Sequence, residues 1–186
     1  MTLFRKEFRL SGSGGQGLIV AGMILAKAAA NENFKVTMTQ SFGPEARGGS
    51  SRTDVVISNN EIYFPEAQTF DYLIALTQEA CDKYLFDLKE DGTLLIDSNY
   101  VKNLSMTVNN LVEVDFSSIS IEKLGSALPM NIVTLSCIVK LSGLVSEIAL
   151  ENAIKEVMKP SIHEINIKAI KLGFEIADQS KKGNKG

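Results

Sequence analysis

Two loops carry the residues of this sequence best suited to chemistry. The first, SGSGGQG, contains Gly12, Gly14, Gly15, Gln16 and Gly17. Glycines let the backbone turn sharply and approach a phosphate, and the free N–H groups that begin a following helix attract an anion. The G-x-G-x-x-G spacing between a predicted strand and a predicted helix indicates a phosphate or pyrophosphate site. A tight strand-to-helix turn that binds nothing would need the same glycines, so this alternative stays open.

The second loop, QSFGPEARGGSSR, lies between two predicted strands and is rich in glycine, serine and arginine. An arginine side chain offers a planar fork of donors that suits phosphate or carboxylate. Because the carboxyl ends of strands in an open α/β sheet form one ligand crevice, both loops should share a rim. The alternative is a solvated loop in which Glu45 pairs with Arg47. The residues predicted to contact a ligand here are Gln40, Ser41, Arg47, Gly48, Gly49 and Arg52.

The ligand at this rim is not predicted to be NAD or FAD. An enzyme that binds a dinucleotide carries Asp or Glu about 20 residues after the glycine loop, where it holds the ribose hydroxyls. Thr39, Gln40 and Ser41 stand at that place. The missing carboxylate disfavours a free dinucleotide-binding oxidoreductase but leaves pyrophosphate binding intact.

No catalytic residue and no metal site are predicted in this chain. The single histidine, His163, belongs to a late helix without a nearby cysteine or acid cluster, which favours an ordinary helical role. Asp97 and Asp115 follow strands, where aspartate commonly caps or turns the chain. Cys81 and Cys137 lie in helical patterns and are expected to be small buried hydrophobes. Two cysteines cannot hold an iron–sulfur cluster or a tetrahedral zinc site.

The elements that must position the loops alternate along the chain. Strands are predicted near residues 7–10, 35–39, 53–58, 71–76, 93–97 and 111–115, and helices at 16–31, 78–89, 131–141, 146–159 and from there to about 179. Such alternation predicts a three-layer α/β/α fold with a Rossmann-like, mostly parallel sheet and a helical C-terminal third. The turn residues Asn59 and Asn60, followed by EIYF, predict one antiparallel hairpin. Residues 1–179 are expected to form one domain and residues 180–186 a disordered tail.

Composition and charge limit the class of partner. A chain of 186 residues, 45% of them hydrophobic, can bury a proper core. A net charge of -3 provides no basic field for nucleic acid, so an anion must be bound by local donors. No segment has the pattern of a signal peptide or of the roughly 18 apolar residues that span a membrane. We therefore expect a cytoplasmic protein that binds neither nucleic acid nor membrane.

These motifs together resemble those of one family, the gamma subunit of 2-oxoacid:ferredoxin (2-oxoacid:acceptor) oxidoreductases. The shared segments are GSGGQGLIVAG, TQSFGPEARGGSSRTDVVIS, DYLIALTQEA, PMNIVTLS and NIKAIKLG, which extend over nearly the whole chain. The Gly-Pro-Glu-x-Arg-Gly-Gly run is most similar to the 2-oxoglutarate branch. The family motifs match Gly12, Gly14, Gly15, Gln16 and Gly17 in the first loop, and Gln40, Ser41, Gly43, Glu45, Arg47, Gly48, Gly49 and Ser51 in the second.

The resemblance implies a subunit of an enzyme that oxidatively decarboxylates a 2-oxoacid with coenzyme A and passes two electrons to ferredoxin or a similar acceptor. It implies that thiamine diphosphate, magnesium and the iron–sulfur clusters belong to partner subunits (alpha, beta and a possible ferredoxin-like delta). It also implies that coenzyme A is a shared ligand at the two loops, while this chain binds no cofactor tightly. We expect the isolated chain to be inactive and to form a homodimer. The alternatives are a gamma subunit for pyruvate, a branched-chain 2-oxoacid or indolepyruvate, or a purely structural subunit whose loops only contact partners.

Arg47→Ala in the assembled complex tests the predicted anion site. Loss of one guanidinium should weaken coenzyme A binding by a few kcal/mol at most, the scale of one charge-assisted pair, and so raise the apparent Michaelis constant for coenzyme A. Subunit assembly should stay intact. The measurement is that constant at saturating 2-oxoacid. An unchanged value in a correctly assembled complex would assign Arg47 to loop architecture, and lost assembly would make the loop an interface.

Overall fold

A computed structural model describes residues 2–42 and 50–183 of the chain. The strands are β1 (Arg5–Ser13), β2 (Lys35–Phe42), β3 (Ser50–Ser58), β4 (Phe70–Ala75), β5 (Leu88–Asp97) and β6 (Asn110–Val114). The helices are α1 (Leu18–Asn31), α2 (Gln78–Tyr84), α3 (Phe116–Leu124), α4 (Met130–Ser142), α5 (Glu147–Val157) and α6 (His163–Gly183). Short 3-10 turns cover Leu85–Asp87 and Pro160–Ile162.

The six strands form one sheet in the order β2-β3-β1-β4-β5-β6. Strands β1, β4, β5 and β6 are parallel, whereas β3 runs antiparallel to both of its neighbours, β1 and β2. The carboxyl ends of every described strand except β3 therefore lie at one edge of the sheet, where β3 begins. The predicted α/β architecture, mostly parallel with one antiparallel element and a helical C-terminal part, is confirmed.

The predicted return strand EIYF is wrong, because residues 61–64 form no strand. Strand β3 already has β1 on one side and β2 on the other, so no edge is left for a further strand to pair with. The segment is instead held by the Arg5 guanidinium, whose Nη1 and Nη2 donate to the carbonyl oxygens of Phe64 (2.8 Å) and Glu66 (3.0 Å). The antiparallel pairing in this sheet is that of β3 with β1 and β2.

Two boundaries and one further helix differ from the sequence-based expectation. Strand β5 begins at Leu88, within the predicted helix and before the predicted turn at Asp91 and Gly92. Asp91 and Gly92 lie in an irregular part of β5. Leu88 pairs with Phe70, and the regular pairing with β4 resumes only at Thr93. Helix α3 was not predicted. Helix α6 continues to Gly183, past residue 179, and residues 184–186 of the predicted tail lie outside the described residues.

The two faces of the sheet bury unequal cores. The larger core joins the sheet to α1, α3, α4, α5 and α6, and the smaller one lies under α2 and the first 3-10 turn. Helices α4 and α6 pack closely where Gly173 faces the Val133 carbonyl, because a Cβ on Gly173 would overlap that oxygen. No helix within residues 2–42 and 50–183 is both long enough and apolar enough to cross a membrane.

The two cysteines are buried as predicted, one in each core. Burial raises the pKa of the Cys81 thiol to about 11 and that of the Cys137 thiol to about 12. Both groups therefore remain protonated near neutral pH, which is the state of an inert core residue.

A charged cluster ties β1 to β4 and β5 at the edge opposite the glycine loop. Asp71 accepts hydrogen bonds from Lys6 Nζ (2.8 Å), from Lys89 Nζ (2.8 Å) and from the Glu7 amide (2.9 Å). Burial alone would raise the pKa of Asp71, but these three hydrogen bonds outweigh it and hold the pKa below 3.8. The carboxylate therefore stabilises the fold in its charged form.

Asp71→Asn should lower the free energy of unfolding near neutral pH by about 1 to 3 kcal/mol, the scale of hydrogen bonds to a charged group. Because the folded-state pKa lies below the unfolded value, this contribution is present above pH 3.8 and is lost as the pH falls through the folded-state pKa. Urea unfolding should therefore show a larger difference in unfolding free energy between parent and variant at about pH 7 than at about pH 3.

Asp178→Asn is the matched control, since Asp178 is 56% exposed and its carboxylate lies 3.8 Å from Lys140 Nζ. Its effect should stay within about 0.5 kcal/mol. If the difference in unfolding free energy between the parent and Asp71→Asn is equal at both pH values, the charged hydrogen bonds do not supply the stability.

Candidate functional site

The two predicted loops leave and enter neighbouring strands at the same edge of the sheet. Ser13, at the end of β1, lies opposite Ser50, where the second loop returns, and Gly12 lies opposite Ser51. Phe42, where that loop departs, pairs with Ser51 from the other side. The sequence-predicted contacts Arg47, Gly48 and Gly49 lie outside the described residues.

Gln16 closes the glycine loop on itself. Its side-chain oxygen Oε1 accepts a hydrogen bond from the Ser13 amide at 2.8 Å, and its own amide donates to the Ser13 carbonyl at 3.4 Å. The Gln16 amide group lies directly over Gly12, so that a Cβ on Gly12 would overlap Oε1. Gly12 is therefore needed for this close approach, and the loop is held in one shape before any ligand arrives.

Gly17 directs the chain from the loop into helix α1. It has φ +72°, a left-handed conformation that a residue with a side chain adopts only with strain. No described side chain caps the N-terminus of α1, so the first N–H groups of this helix remain available at the crevice. Gly14 and Gly15 complete the turn before it. Together the turn and the helix end form an arrangement that favours an anion.

Asn131, at the start of α4, fixes the position of this turn. Its side-chain Nδ2 donates to the Gly17 carbonyl at 2.9 Å, and a Cβ on Gly17 would lie 2.5 Å from the same nitrogen. Asn131 is 6% exposed. The helical C-terminal part of the chain is thereby joined to the glycine loop. Asn131 stands in the PMNIVTLS segment, and the sequence analysis assigned it no role.

A crevice of about 440 Å³ opens beside the glycine loop, within the size range of small-molecule sites. Its walls come from the glycine loop, the segment after β5, the start of α3 and the segment that leads into α4. The lining residues are Gly15, Gln16, Tyr100, Ser117, Ser126, Ala127, Leu128, Met130 and Asn131. A more apolar cavity of about 490 Å³ adjoins it and shares Ser126, Leu128 and Asn131.

Asp97 supports the part of the crevice that Ser117 lines. It is fully buried at the end of β5. Its Oδ2 accepts the Ser117 amide at 3.0 Å and the Ser117 hydroxyl, and its Oδ1 accepts the Asn99 amide at 2.9 Å. Asp115 caps α3 by accepting the Ser118 amide at 2.9 Å, and that hydrogen bond lowers its pKa. Both aspartates thus cap and turn the chain, as predicted.

The role of Arg52 as a ligand contact stays a prediction. The Arg52 side chain lies on the α2 face of the sheet, with Cζ 5.7 Å from the centroid of the Tyr84 ring. The same ring lies 4.5 Å from Arg9 Cζ, and Arg9 forms a buried bidentate pair with Asp54 at 2.7 Å for each hydrogen bond. This pair cannot be predicted from the sequence, because alternation along β1 and β3 does not reveal which charged residues meet across two strands.

Gln40, Ser41 and His163 are not among the described residues that line the crevice, and the ligand contacts of Gln40 and Ser41 stay predictions. Gln40 and Ser41 are exposed near the end of edge strand β2, and Ser41 pairs in register with Arg52. His163 begins α6, where its Nε2 lies 2.9 Å from the Met158 carbonyl oxygen. Across residues 2–42 and 50–183, no three His, Cys, Asp or Glu side chains are grouped to hold a metal ion.

A double-mutant cycle tests the contact between Gly17 and Asn131. Gly17→Ala should destabilise the chain through left-handed backbone strain, about 1 to 2 kcal/mol, and through overlap with Asn131. Asn131→Ala should cost about 1 kcal/mol for the lost hydrogen bond. In the Asn131→Ala background, Gly17→Ala should retain the strain but lose the overlap, so chemical unfolding should reveal a coupling energy of about 0.5 kcal/mol or more.

Gly15→Ala provides the reference for strain alone, because Gly15 has φ +92° and a Cβ there would meet nothing within 4 Å. Its cost should be the same with and without Asn131. Additive costs for Gly17→Ala and Asn131→Ala would contradict the proposed link between the turn and α4.

Comparison with known proteins places this geometry in a family. Residues 7–176 match the model of the pyruvate ferredoxin/flavodoxin oxidoreductase family. The KorC subunit of 2-oxoglutarate synthase from Methanocaldococcus jannaschii is 41% identical over 94% of this chain and 95% of its own length. KorC from Methanothermobacter marburgensis is 38% identical over 96% of this chain and all of its own length.

Solved structures agree with the sequence relatives. The gamma subunit of a keto/oxoacid ferredoxin oxidoreductase from Geobacter sulfurreducens has a TM-score of 0.87 and 40% identity, covering 95% of this chain and 98% of that one. A 2-oxoglutarate:ferredoxin oxidoreductase from Magnetococcus marinus shares the fold (TM-score 0.80, 21% identity) over 94% of this chain and 31% of its own. The resemblance inferred from the motifs is confirmed, and the chain belongs to the pyruvate ferredoxin/flavodoxin oxidoreductase family.

Proposed function

We propose that this chain is the gamma subunit of a 2-oxoglutarate:acceptor oxidoreductase and that its glycine-loop edge forms part of the coenzyme A site. The observation that carries the proposal is the turn at Gly14 to Gly17. It leads into the N-terminus of α1, which no described side chain caps, and its residues Gly15 and Gln16 line a crevice of about 440 Å³. A pyrophosphate is the part of coenzyme A that such a turn suits.

The relatives support the 2-oxoglutarate branch. Four KorC subunits of 2-oxoglutarate synthases are 36 to 41% identical to this chain. The common gamma subunit of the pyruvate and ketoisovalerate oxidoreductases of Pyrococcus abyssi is 32% identical, and the pyruvate synthase subunit PorC of Methanothermobacter marburgensis is 30% identical. The choice of 2-oxoacid is thus supported by similarity, and substrate profiling of the purified complex tests it.

The family's reaction gives this chain a binding role. A 2-oxoacid and coenzyme A yield an acyl-CoA and carbon dioxide, while two electrons pass to the acceptor. Thiamine diphosphate, magnesium and the iron–sulfur clusters are assigned to the alpha, beta and ferredoxin-like partner subunits. This chain would hold and orient coenzyme A, so we expect it to be inactive alone. The cytoplasmic location also stays a prediction.

The charges of the chain fit a local anion site. A net charge of -3 gives no general attraction for a phosphate, so binding energy must come from donors fixed at the site. The hydrogen bonds of Gln16 and Asn131 fix those donors before binding, which reduces the entropic cost of ordering the loop. The Magnetococcus marinus enzyme, whose fold this chain shares, was solved with coenzyme A bound.

The anion site can be tested with two variants, Gly15→Asp and Gly15→Asn, that differ in charge but hardly in size. A side chain at Gly15 would extend into open space, and Asp and Asn impose the same backbone strain and nearly the same volume. In the assembled complex, Gly15→Asp should raise the Michaelis constant for coenzyme A about tenfold relative to Gly15→Asn, because a carboxylate repels the pyrophosphate. The difference should shrink as salt is added.

Assembly of both variants with the partner subunits is checked first by size-exclusion chromatography. Equal constants for Asp and Asn in intact complexes would place the pyrophosphate elsewhere. Loss of assembly in both would indicate a structural subunit whose loop contacts a partner.

A further inference from the structure

Strand β2 has a free edge without the features that normally protect one. An unbroken register joins β2 to β3, from Lys35 with Ser58 to Phe42 with Ser51, and contains no bulge. Among the strands that the structure describes, none pairs with the other side of β2. Proteins shield such edges with charges, proline, a bulge or a short strand, because unpaired N–H and C=O groups bind further strands. In KVTMTQSF, the only charge is Lys35, at the first position.

The opposite edge of the sheet is built differently. Strand β6 has only 5 residues, Asn110–Val114, and includes the exposed side chain of Glu113. A short strand that carries a charge is a poor template for pairing. One edge of the sheet therefore resists a further strand, whereas β2 offers 8 residues to one.

The segment that follows β3 is fixed beside the first half of β2. Lys35 Nζ lies 2.9 Å from Glu61 Oε1, and the Thr37 hydroxyl donates to the Pro65 carbonyl at 2.9 Å. The Arg5 guanidinium, from β1, donates to two further carbonyls of the same segment. The segment is therefore held in one shape although it has no regular secondary structure.

Two adjacent aromatic rings lie between these contacts with β2. Tyr63 is 83% exposed and Phe64 is 74% exposed. Large rings on a fixed backbone are the side chains that most often carry the energy of a protein interface, since little entropy is lost when they are covered. The free edge of β2 and these two rings form one surface, which we call the β2 surface.

The charge of β2 favours a second copy of the same strand at this edge. Two β2 strands that run antiparallel about a twofold axis at Met38 place Lys35 opposite Ser41 of the second copy. The two lysines then lie at opposite ends of the paired strands, about 20 Å apart. Parallel strands would bring them side by side, where like charges destabilise pairing. The same axis places Thr37 opposite Thr39, a favourable cross-strand pair.

We propose that the β2 surface joins two copies of this chain through antiparallel pairing of their β2 strands, flanked by the aromatic rings of Tyr63 and Phe64. Two 6-stranded sheets then become one continuous sheet. The homodimer expected for the isolated chain thereby gains a defined surface. The inference does not depend on the proposed coenzyme A site, because the described residues that line the crevice include none from β2 or from residues 61–66.

A charge exchange at Thr39 tests the pairing by sedimentation of the purified chain. The parent should be a dimer at micromolar concentration, whereas Thr39→Lys and Thr39→Glu should each be monomers, because like charges meet between the paired strands. An equimolar mixture of the two variants should regain the dimer, because each lysine then meets a glutamate. Thr107→Lys and Thr107→Glu are the matched controls, since Thr107 is exposed between β5 and β6, and both should stay dimeric.

A second variant tests the aromatic part of the surface. Tyr63→Ala should raise the dissociation constant of the dimer at least about tenfold, the scale of one important interface residue. Phe86→Ala is its control, because Phe86 is 69% exposed on the first 3-10 turn, and it should leave the constant unchanged. Thermal unfolding checks that every variant is folded.

Several results would overturn the inference. They are a monomeric parent chain, a dimer that survives both Thr39 variants, and folded Thr39 variants whose mixture stays monomeric. If the Thr39 variants do not fold, an unchanged dissociation constant for Tyr63→Ala overturns it instead. Variants that stay dimeric but no longer assemble with the other subunits would assign the β2 surface to a different partner.

Discussion

The hydrogen bond from Asn131 to the Gly17 carbonyl is the contact on which the site depends. It joins the N-terminus of α4 to the turn that begins α1, at 2.9 Å, and leaves no room for a side chain at residue 17. The Gln16 side chain fixes the turn from the β1 side through Ser13, and the Ala21 amide of α1 donates to the same Gly17 carbonyl at 3.0 Å. The helical C-terminal part of the chain therefore helps to set the position of the anion-binding turn.

The same constraint explains why the crevice has a defined shape. Asn131 and Met130 line it directly, and Asp97 bonds the start of α3 and the turn that carries Tyr100, which line it too. Each wall is thus tied by a buried polar group to the end of a strand or helix. In our account this rigidity is the contribution of a subunit that supplies binding rather than chemistry.

Much of the fold could be predicted from the sequence because its signals are local. The alternation in β1, the apolar run of β4, the Ser146 cap of α5 and the glycine after α4 each correspond to an observed element. The failures have a common cause. The EIYF segment has strand composition, but both edges of β3 are occupied, and that fact depends on which strands are neighbours.

The glycine loop was identified from spacing, whereas its supports were not. Nothing local marks Asn131 as the partner of Gly17, since 114 positions separate them. Arg52 is a residue type that suits a ligand contact. Its position in β3 fixes the side of the sheet to which its side chain points, and that side is the α2 face, beside Tyr84. Tyr100 has no motif at all, and its exposure in the crevice is visible only in the fold.

Photolabelling tests most directly whether coenzyme A binds against this chain. A coenzyme A analogue with an azide on the adenine ring, activated by light in the intact complex, should label this subunit. Excess coenzyme A should suppress the label, and mass spectrometry of the peptides identifies its position. Label confined to the partner subunits would contradict the account.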